Sequence, residues 1–444
     1  MPYIPNTDAD RRRMLESIGA AGVDELFEQI PAELHMRGKL DVPGPLSEID
    51  LRRHAACLAD TNTNIDDYPS FLGAGIYDHY IPSTVPAITA RSEFYTSYTP
   101  YQPEVSQGTL QSIYEFQTLI CELTGMDVAN ASMYDGATAL AEAALMASSI
   151  TGRGEWVVSN CVHPWYRETM RTYAWASGHK LIEEGCGGIV TDMARLSEFV
   201  NENTACVIVQ NPNFFGAIES LAEVEALAHS KGALFVVSFD PISLGLLKPP
   251  GKFGADIAVG EGQPMGIPTQ YGGPLLGLFT CKQQYVRQMP GRLVGATTDT
   301  QGRRGYVLTL QTREQHIRRE KATSNICTNQ GLCALAATVY LSTLGKTGLK
   351  GIAELCLQKS HYAAEAISKL PGYEIPFGVK FFKEFVVKCP RPVAEVNERL
   401  LERGIIGGLD LGRFYPELAE YMLVCVTEKR TREEIDELIG GLAQ

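Results

Sequence analysis

The chain is short of positive charge, of paired cysteines and of unbroken apolar runs, and each shortage excludes something. Its 444 residues carry 39 basic against 52 acidic side chains, a net charge of −13. Such a surface repels phosphate backbones and anionic headgroups, so no nucleic acid and no membrane is expected as a partner. None of the 11 cysteines belongs to a C-x-x-C pair, which argues for reduced thiols and against a disulfide or zinc framework; a cytoplasmic protein without a metal is expected. The opening Met1-Pro2-Tyr3-Ile4-Pro5-Asn6 has neither a charged leader nor an apolar core of about 7–15 residues, so no export signal is expected. The uncharged stretch 322–345 is long enough to suggest a membrane span. Asn325, Thr328, Asn329, Gln330, Thr338 and Ser342 make it too polar for lipid, and a buried helix is expected instead.

What is present is ordinary for a folded protein, with 45% apolar and 20% charged residues. At roughly 150 residues per domain the length suits two or three domains. Residues 1–68 carry helical patterns, at 9–19 and 45–59, and no strand-like run, so an N-terminal helical arm is expected. The segment 69–108 is rich in Gly, Pro, Tyr, Ser and Thr; loops that long inside a compact protein are usually functional or interfacial.

From about 110 to 290 helix and strand patterns alternate. Short apolar runs stand at 156–159, 180–183, 205–210, 234–239, 256–259 and 274–281. Ser220 with Glu223 reads as a capping box, Lys231 sits in the last turn and Gly232 follows at C′. The run Leu234-Phe235-Val236-Val237-Ser238-Phe239 is too apolar to be half exposed, so it reads as a central strand covered on both faces. The repeated pattern predicts an α/β domain over 69–330 with a mostly parallel sheet and helices on both sides. Beyond it, 331–444 reads as a smaller α+β domain: a helix at 351–370, a strand at 382–389, a helix at 393–403, a strand at 421–426 and a last helix that Thr431 and Glu434 cap.

Ligands of open α/β sheets bind beyond the carboxyl ends of the strands. There the sequence places Asp240, Asn211-Pro212-Asn213, His163 after 156–159, and Glu261 to Pro264 after 256–259. Singly, Asp240 before Pro241 is a turn former and His163 a packing histidine. Together they resemble the fold-type I pyridoxal-phosphate enzymes. In that fold an Asp pairs with the pyridine nitrogen, an aromatic or His stacks on the ring, a helix start takes the phosphate and a Lys holds the aldehyde. The resemblance gives the first three roles to Asp240, His163 and the amides of Gly136-Ala137-Thr138. The fourth has no candidate in place, because 253–280 contains neither Lys nor Arg.

Particular strings sharpen this. Tyr98-Thr99-Pro100-Tyr101-Gln102-Pro103-Glu104-Val105-Ser106-Gln107-Gly108, Asn130-Ala131-Ser132-Met133-Tyr134-Asp135-Gly136, Met289-Pro290-Gly291-Arg292 and Leu310-Gln311-Thr312-Arg313-Glu314-Gln315-His316-Ile317-Arg318-Arg319-Glu320-Lys321-Ala322-Thr323-Ser324-Asn325-Ile326-Cys327 resemble the P-protein family of the glycine cleavage system, the glycine dehydrogenases (decarboxylating), over nearly the whole chain. Length and ending are similar to the first subunit of the two-subunit bacterial form. There the other subunit carries a His-Lys pair after the corresponding strand, and here Gln263-Pro264 takes that place. A proline has no amine, so Pro264 cannot hold the aldehyde.

The resemblance implies a vestigial cofactor site (Asp240, His163, Gly136, Thr138, Gln263), with pyridoxal phosphate in the partner subunit and none bound covalently here. Asp135 beside the helix start would repel a phosphate, or simply cap its own helix. Lys248 and Lys252 are the nearest alternative amines. The implied function is that of the non-lysine subunit of glycine decarboxylase, inactive alone. With a lysine-bearing second subunit it would act on glycine and pass the aminomethyl group to the lipoyl arm of the H-protein. Tyr95, Tyr98, Glu104, Gly272 and Gly273 would complete the partner's site in a heterotetramer. Two alternatives stay open: a purely structural or regulatory subunit, and an independent pyridoxal-phosphate enzyme using Lys248 or Lys252. The charged run 313–321 is either a solvated helix face or an interface.

Overall fold

The computed structural model describes residues 5–36, 38, 40–185 and 188–443, so Met1-Pro2-Tyr3-Ile4 of the expected leaderless start lies outside the described residues. The chain forms two units, Met1–Thr63 and Asn64–Gln444. In the first, helices Asp8–Ile18 and Glu48–Ala59 stand where the charged patterns put them, started by Thr7 and Ser47 as side-chain caps, and neither helix buries a residue. The second unit begins earlier than the expected end of the arm. Backbone bonds between Phe71 N and Ile406 O, and between Ile406 N and Pro69 O, tie 69–71 to the C-terminal part of the chain.

Seven strands build the main sheet: β1 (Val128–Ala129), β2 (Glu155–Ser159), β3 (Lys180–Glu184), β4 (Thr204–Asn211), β5 (Leu234–Phe239), β6 (Ile257–Glu261) and β7 (Gly277–Cys281). Their order is β1-β7-β6-β5-β4-β2-β3, and only β7 runs against its neighbours. Period-two alternation sorts the side chains. Val157, Val207, Val209, Phe235 and Val237 enter the core on one face, Trp156, Val158, Ile208 and Val236 that on the other. Each such burial contributes about 1.5–3 kcal/mol, which is why these runs are apolar throughout.

The helix Leu221–Ser230 forms and Gly232 follows it at φ +66°, but Ser220 does not cap it. Ser220 has ψ 69° and no side-chain bond to the helix, whereas Thr431, at ψ 167°, closes the expected box with Glu434. The buried helix expected within 322–345 starts at Gly331 and runs to Ile367, broken at Gly345 (φ 58°, ψ −171°), so that it absorbs most of the helix expected at 351–370. It is long and apolar enough to cross a membrane, yet Ala334, Ala337, Tyr340 and Leu341 are buried against the sheet.

Between β7 and that helix lies a hairpin absent from the sequence expectations, β8 (Leu293–Thr298) with β9 (Arg304–Thr309). The C-terminal sheet is β10 (Glu384–Lys388), β12 (Tyr421–Cys425) and β11 (Leu409–Asp410), all antiparallel, with helices Val393–Glu402 and Arg432–Leu442. The segment 69–108 contains short helices, Thr84–Thr89 and Ser92–Tyr95, and a 3-10 turn at Pro103–Val105.

Candidate functional site

The carboxyl ends of β2, β4, β5 and β6 bring His163, Pro212, Asp240 and Glu261 around one cavity, as a parallel sheet should. The cavity is small, about 30 Å³. Several of its polar groups are engaged with one another. Asp240 does form a turn, Oδ1 accepting from Ile242 N over 2.8 Å, while Oδ2 lies 2.6 Å from Lys383 Nζ. Burial works against the Lys383 ammonium, but Asp240, with the Cys425 and Cys356 sulfurs, outweighs it and raises its proton affinity.

His163 donates from Nε2 to Ala74 O (2.9 Å) and accepts at Nδ1 from Trp165 N (3.2 Å), which fixes a neutral ring. Burial pushes its pKa down to about 4. One ring face lies on Tyr166, the centroids 4.8 Å apart. At the start of the helix Gly136–Thr151, Thr138 N donates to Asp135 Oδ1 (2.8 Å) and Gly136 N to Glu261 Oε2 (2.9 Å). Asp135 is therefore the cap of its own helix. Glu261 also accepts from Gln263 N and Leu276 N through Oε1; burial nonetheless lifts its pKa to about 7. Gln263 clamps Tyr77 by accepting from its N–H (2.9 Å) and donating to its carbonyl (3.0 Å), and Pro264 beside it is buried.

The comparisons with known proteins come down on one side. Residues 1–442 match the model of the glycine cleavage system P-protein. The chain belongs to that family. It is 57% identical over 442 residues to the probable glycine dehydrogenase (decarboxylating) subunit 1 of Desulforamulus reducens, covering 100% of this chain and 99% of the relative. With the protein of the same name from Geobacillus kaustophilus it shares 56% over 440 residues, 99% of this chain and 98% of the other. Among solved structures, an inhibitor-bound glycine decarboxylase (P-protein) of the glycine cleavage system superposes with a TM-score of 0.89 at 44% identity, over 100% of this chain and 99% of that one. The sphingosine-1-phosphate lyase of Burkholderia pseudomallei, at TM-score 0.65 and 16% identity over 93% and 92% of the two chains, shares the fold alone. The architecture is that of the fold-type I pyridoxal-phosphate enzymes.

Within this P-protein chain the residues around Asp240 do not fit that cofactor. The carboxylate that would pair with a pyridine nitrogen holds an ammonium, and the amides of Gly136 and Thr138 serve carboxylates rather than a phosphate. A phosphate there would meet Asp135 and Glu261 at close range. Lys248 and Lys252 are exposed and line none of the cavities around Asp240.

Two larger cavities lie beyond the small one. The first, about 360 Å³, lies under the loop that carries Gly272 and Gly273 and reaches Asp135, His163, Trp165 and Gln263. The second, about 400 Å³, is lined by Tyr98, Thr99, Pro274 and the residues leading into the helix Gly331–Ile367. Pro274 borders both. Tyr98 is 79% and Tyr95 66% exposed, and Glu104 is exposed. Three of the strings that resemble the family meet nearby: Arg292, 3% exposed, donates to Tyr101 Oη (2.9 Å) and Thr99 Oγ1 (3.2 Å) and faces Glu314 at 3.5 Å. Arg313 and Glu314 are buried, whereas 315–321 are exposed, so the run is a solvated face except at its first two residues.

The sequence reading missed Lys383, Glu384, Tyr77 and His79. A signal was available, since a Lys-Glu pair inside Phe381-Phe382-Lys383-Glu384-Phe385-Val386-Val387 puts charge into a strand whose neighbours are all apolar.

Proposed function

We propose that this chain is the cofactor-free half of a glycine-decarboxylating enzyme, working in the cytoplasm as part of the glycine cleavage system. Its partner is a second, lysine-bearing subunit in which Pro264 has a lysine counterpart. Pyridoxal phosphate held there serves as the electron sink for the loss of CO2 from glycine, and the aminomethyl group passes to the lipoyl arm of the H-protein. This chain supplies shape: Tyr95, Tyr98, Glu104, Gly272 and Gly273 close the partner's site across the interface, in a dimer of heterodimers.

The observation that carries the reading is the contrast between two places. Around Asp240 the carboxylate is paired with Lys383, the amides of Gly136 and Thr138 serve carboxylates, and His163 is bonded to Ala74. Near the two larger cavities the phenols of Tyr95, Tyr98 and Tyr271 are largely exposed. Large apolar-bodied side chains left in water mark surfaces meant for another molecule. The names of the relatives, each a subunit 1, support a heteromeric enzyme.

The test is to purify the chain alone and with its partner and to record cofactor absorbance and glycine-dependent CO2 exchange. Absorbance and exchange are expected only with the partner present. Replacing Tyr98 by Ala in the assembled enzyme should lower turnover while assembly persists. Unchanged turnover would turn the reading toward a structural subunit.

A further inference from the structure

Lys383 is the only buried lysine among the described residues, 1% exposed. An ammonium has three N–H groups, and this one meets three acceptors: Asp240 Oδ2 at 2.6 Å, His79 Nε2 at 3.1 Å and the face of Tyr77, whose centroid lies 3.5 Å away. Because His79 Nε2 accepts from Lys383, its proton sits on Nδ1 and is donated to Glu428 Oε2 over 2.6 Å. Glu428 Oε1 accepts in turn from Tyr80 N (2.7 Å).

The relay joins separate parts of the unit. Asp240 follows β5, Lys383 directly precedes β10, Glu428 follows β12, and His79 lies on the segment that Gln263 clamps through Tyr77. Lys383 and His79 are buried and Asp240 and Glu428 half-buried, so each charge depends largely on the next for its solvation. His79, Cys356 and Glu428 also offer ligand atoms within 4.8 Å of one another. A metal ion bound there would displace the Nδ1 proton, turn Nε2 into a donor against the Lys383 ammonium and add a second cation beside it.

We propose that Lys383 is a built-in ligand of Asp240: a cation site for a primary alkylammonium, filled by the chain itself. Its ammonium takes the place that this fold gives to the ring nitrogen of pyridoxal phosphate, seals the cavity against that cofactor, and fastens the C-terminal sheet to the carboxyl edge of the main sheet. Here a side chain bridges these parts. The proposal concerns the isolated chain and does not rest on the proposed function, so each can fail alone.

Three variants of the full chain test it by thermal unfolding: Lys383→Ala, Lys383→Met, and Lys383→Met combined with Asp240→Asn. Lys383→Ala should unfold at lower temperature than the parent. Propylammonium chloride, which replaces the deleted atoms from Cγ to Nζ, should restore it in a saturable way that sodium chloride at equal ionic strength does not reproduce, with no such effect on the parent or the double variant. The double variant should be more stable than Lys383→Met, because it removes the stranded carboxylate. The parent should show no saturable binding of pyridoxine 5′-phosphate, which lacks the aldehyde and so does not react with surface lysines. Propylammonium no better than sodium, a double variant no more stable than Lys383→Met, or saturable pyridoxine 5′-phosphate binding by the parent would each overturn the proposal. If Lys383→Ala does not fold, the two Met-bearing variants decide.

Discussion

Arg292 holds Tyr101 in two ways, donating from Nη2 to the phenol oxygen over 2.9 Å and placing its guanidinium carbon 5.2 Å from the ring centroid. The same side chain reaches Thr99, and the two together fix the start of the 99–105 turn against the hairpin strand β8 that Arg292 precedes. The exposed Tyr98 is therefore carried on a loop whose next residue is anchored in the core.

Replacing Arg292 by Met should expose how much that anchor matters. Glu314, buried 3.5 Å from the guanidinium, would lose its counter-charge. Breaking such a buried pair on one side costs about 3 kcal/mol or more. We expect a lower denaturant midpoint and faster proteolysis within 95–105, with Arg292→Lys intermediate because lysine cannot bridge Thr99 and Tyr101 at once. A midpoint within about 0.5 kcal/mol of the parent, the range of an ordinary surface substitution, would remove the anchor from the account.

Three buried glutamates set a pH dependence. Burial pushes Glu142, Glu261 and Glu384 each up to about 7. Their folded-state pKa lies above the unfolded one near 4.5, so the native state binds more protons in between. The stability they contribute is complete below about pH 4.5 and is lost as pH rises through 7. Glu142 is the simplest case, relieved only by Ser324. Glu142→Gln should therefore stabilise the chain at pH 8, by up to about 3 kcal/mol, and leave pH 4.5 nearly unchanged. Guanidinium melts at the two pH values check this; equal effects at both would contradict it.

How far the sequence was legible follows from the same residues. The strands of the main sheet were readable because burial on both faces demands unbroken apolar runs, and the ends of those runs led straight to Asp240 and His163. Asp135 as a cap was readable from local chemistry alone. The closing of the pocket was not, because Lys383 and Asp240 are joined only by the fold, and a lysine in a strand reads as an outward-facing residue until its neighbours are known. The hairpin of β8 and β9 hid behind a Thr- and Gly-rich stretch, with its turn held by Asp299 bonding Arg303. Ser220 shows the opposite failure, a capping sequence whose side-chain bond does not form.

Restoring an amine should not restore a cofactor site. Pro264→Lys would place a lysine beside a pocket in which Asp240 is paired with Lys383 and the helix-start amides with Asp135 and Glu261. After incubation with pyridoxal phosphate and reduction by borohydride, no pyridoxyl group is expected at position 264. Its recovery there by peptide mass, at ligand concentrations that leave exposed lysines unmodified, would show that these pairings open readily.

The loop over the 360 Å³ cavity offers the sharpest separation between a residue's own fold and its service to a partner. Gly272, at φ +72°, sits where an L residue is strained by roughly 1 kcal/mol, and a methyl group there would meet nothing. Gly273, at φ +112°, is in a region nearly closed to other residues, and a methyl group would come within 3.2 Å of the Leu275 amide, so the strain rises to about 1–3 kcal/mol. The loop is exposed, and local rearrangement can relieve that strain without unfolding the core; both alanine variants should melt close to the parent. If the loop shapes the partner's active site, the rearrangement costs turnover instead. At about 1.4 kcal/mol per tenfold, Gly273→Ala should lower glycine-dependent CO2 exchange of the assembled enzyme by roughly 5- to 100-fold, and Gly272→Ala by about 5-fold or less. Equal turnover for the parent and Gly273→Ala in intact complexes would place this loop away from the chemistry.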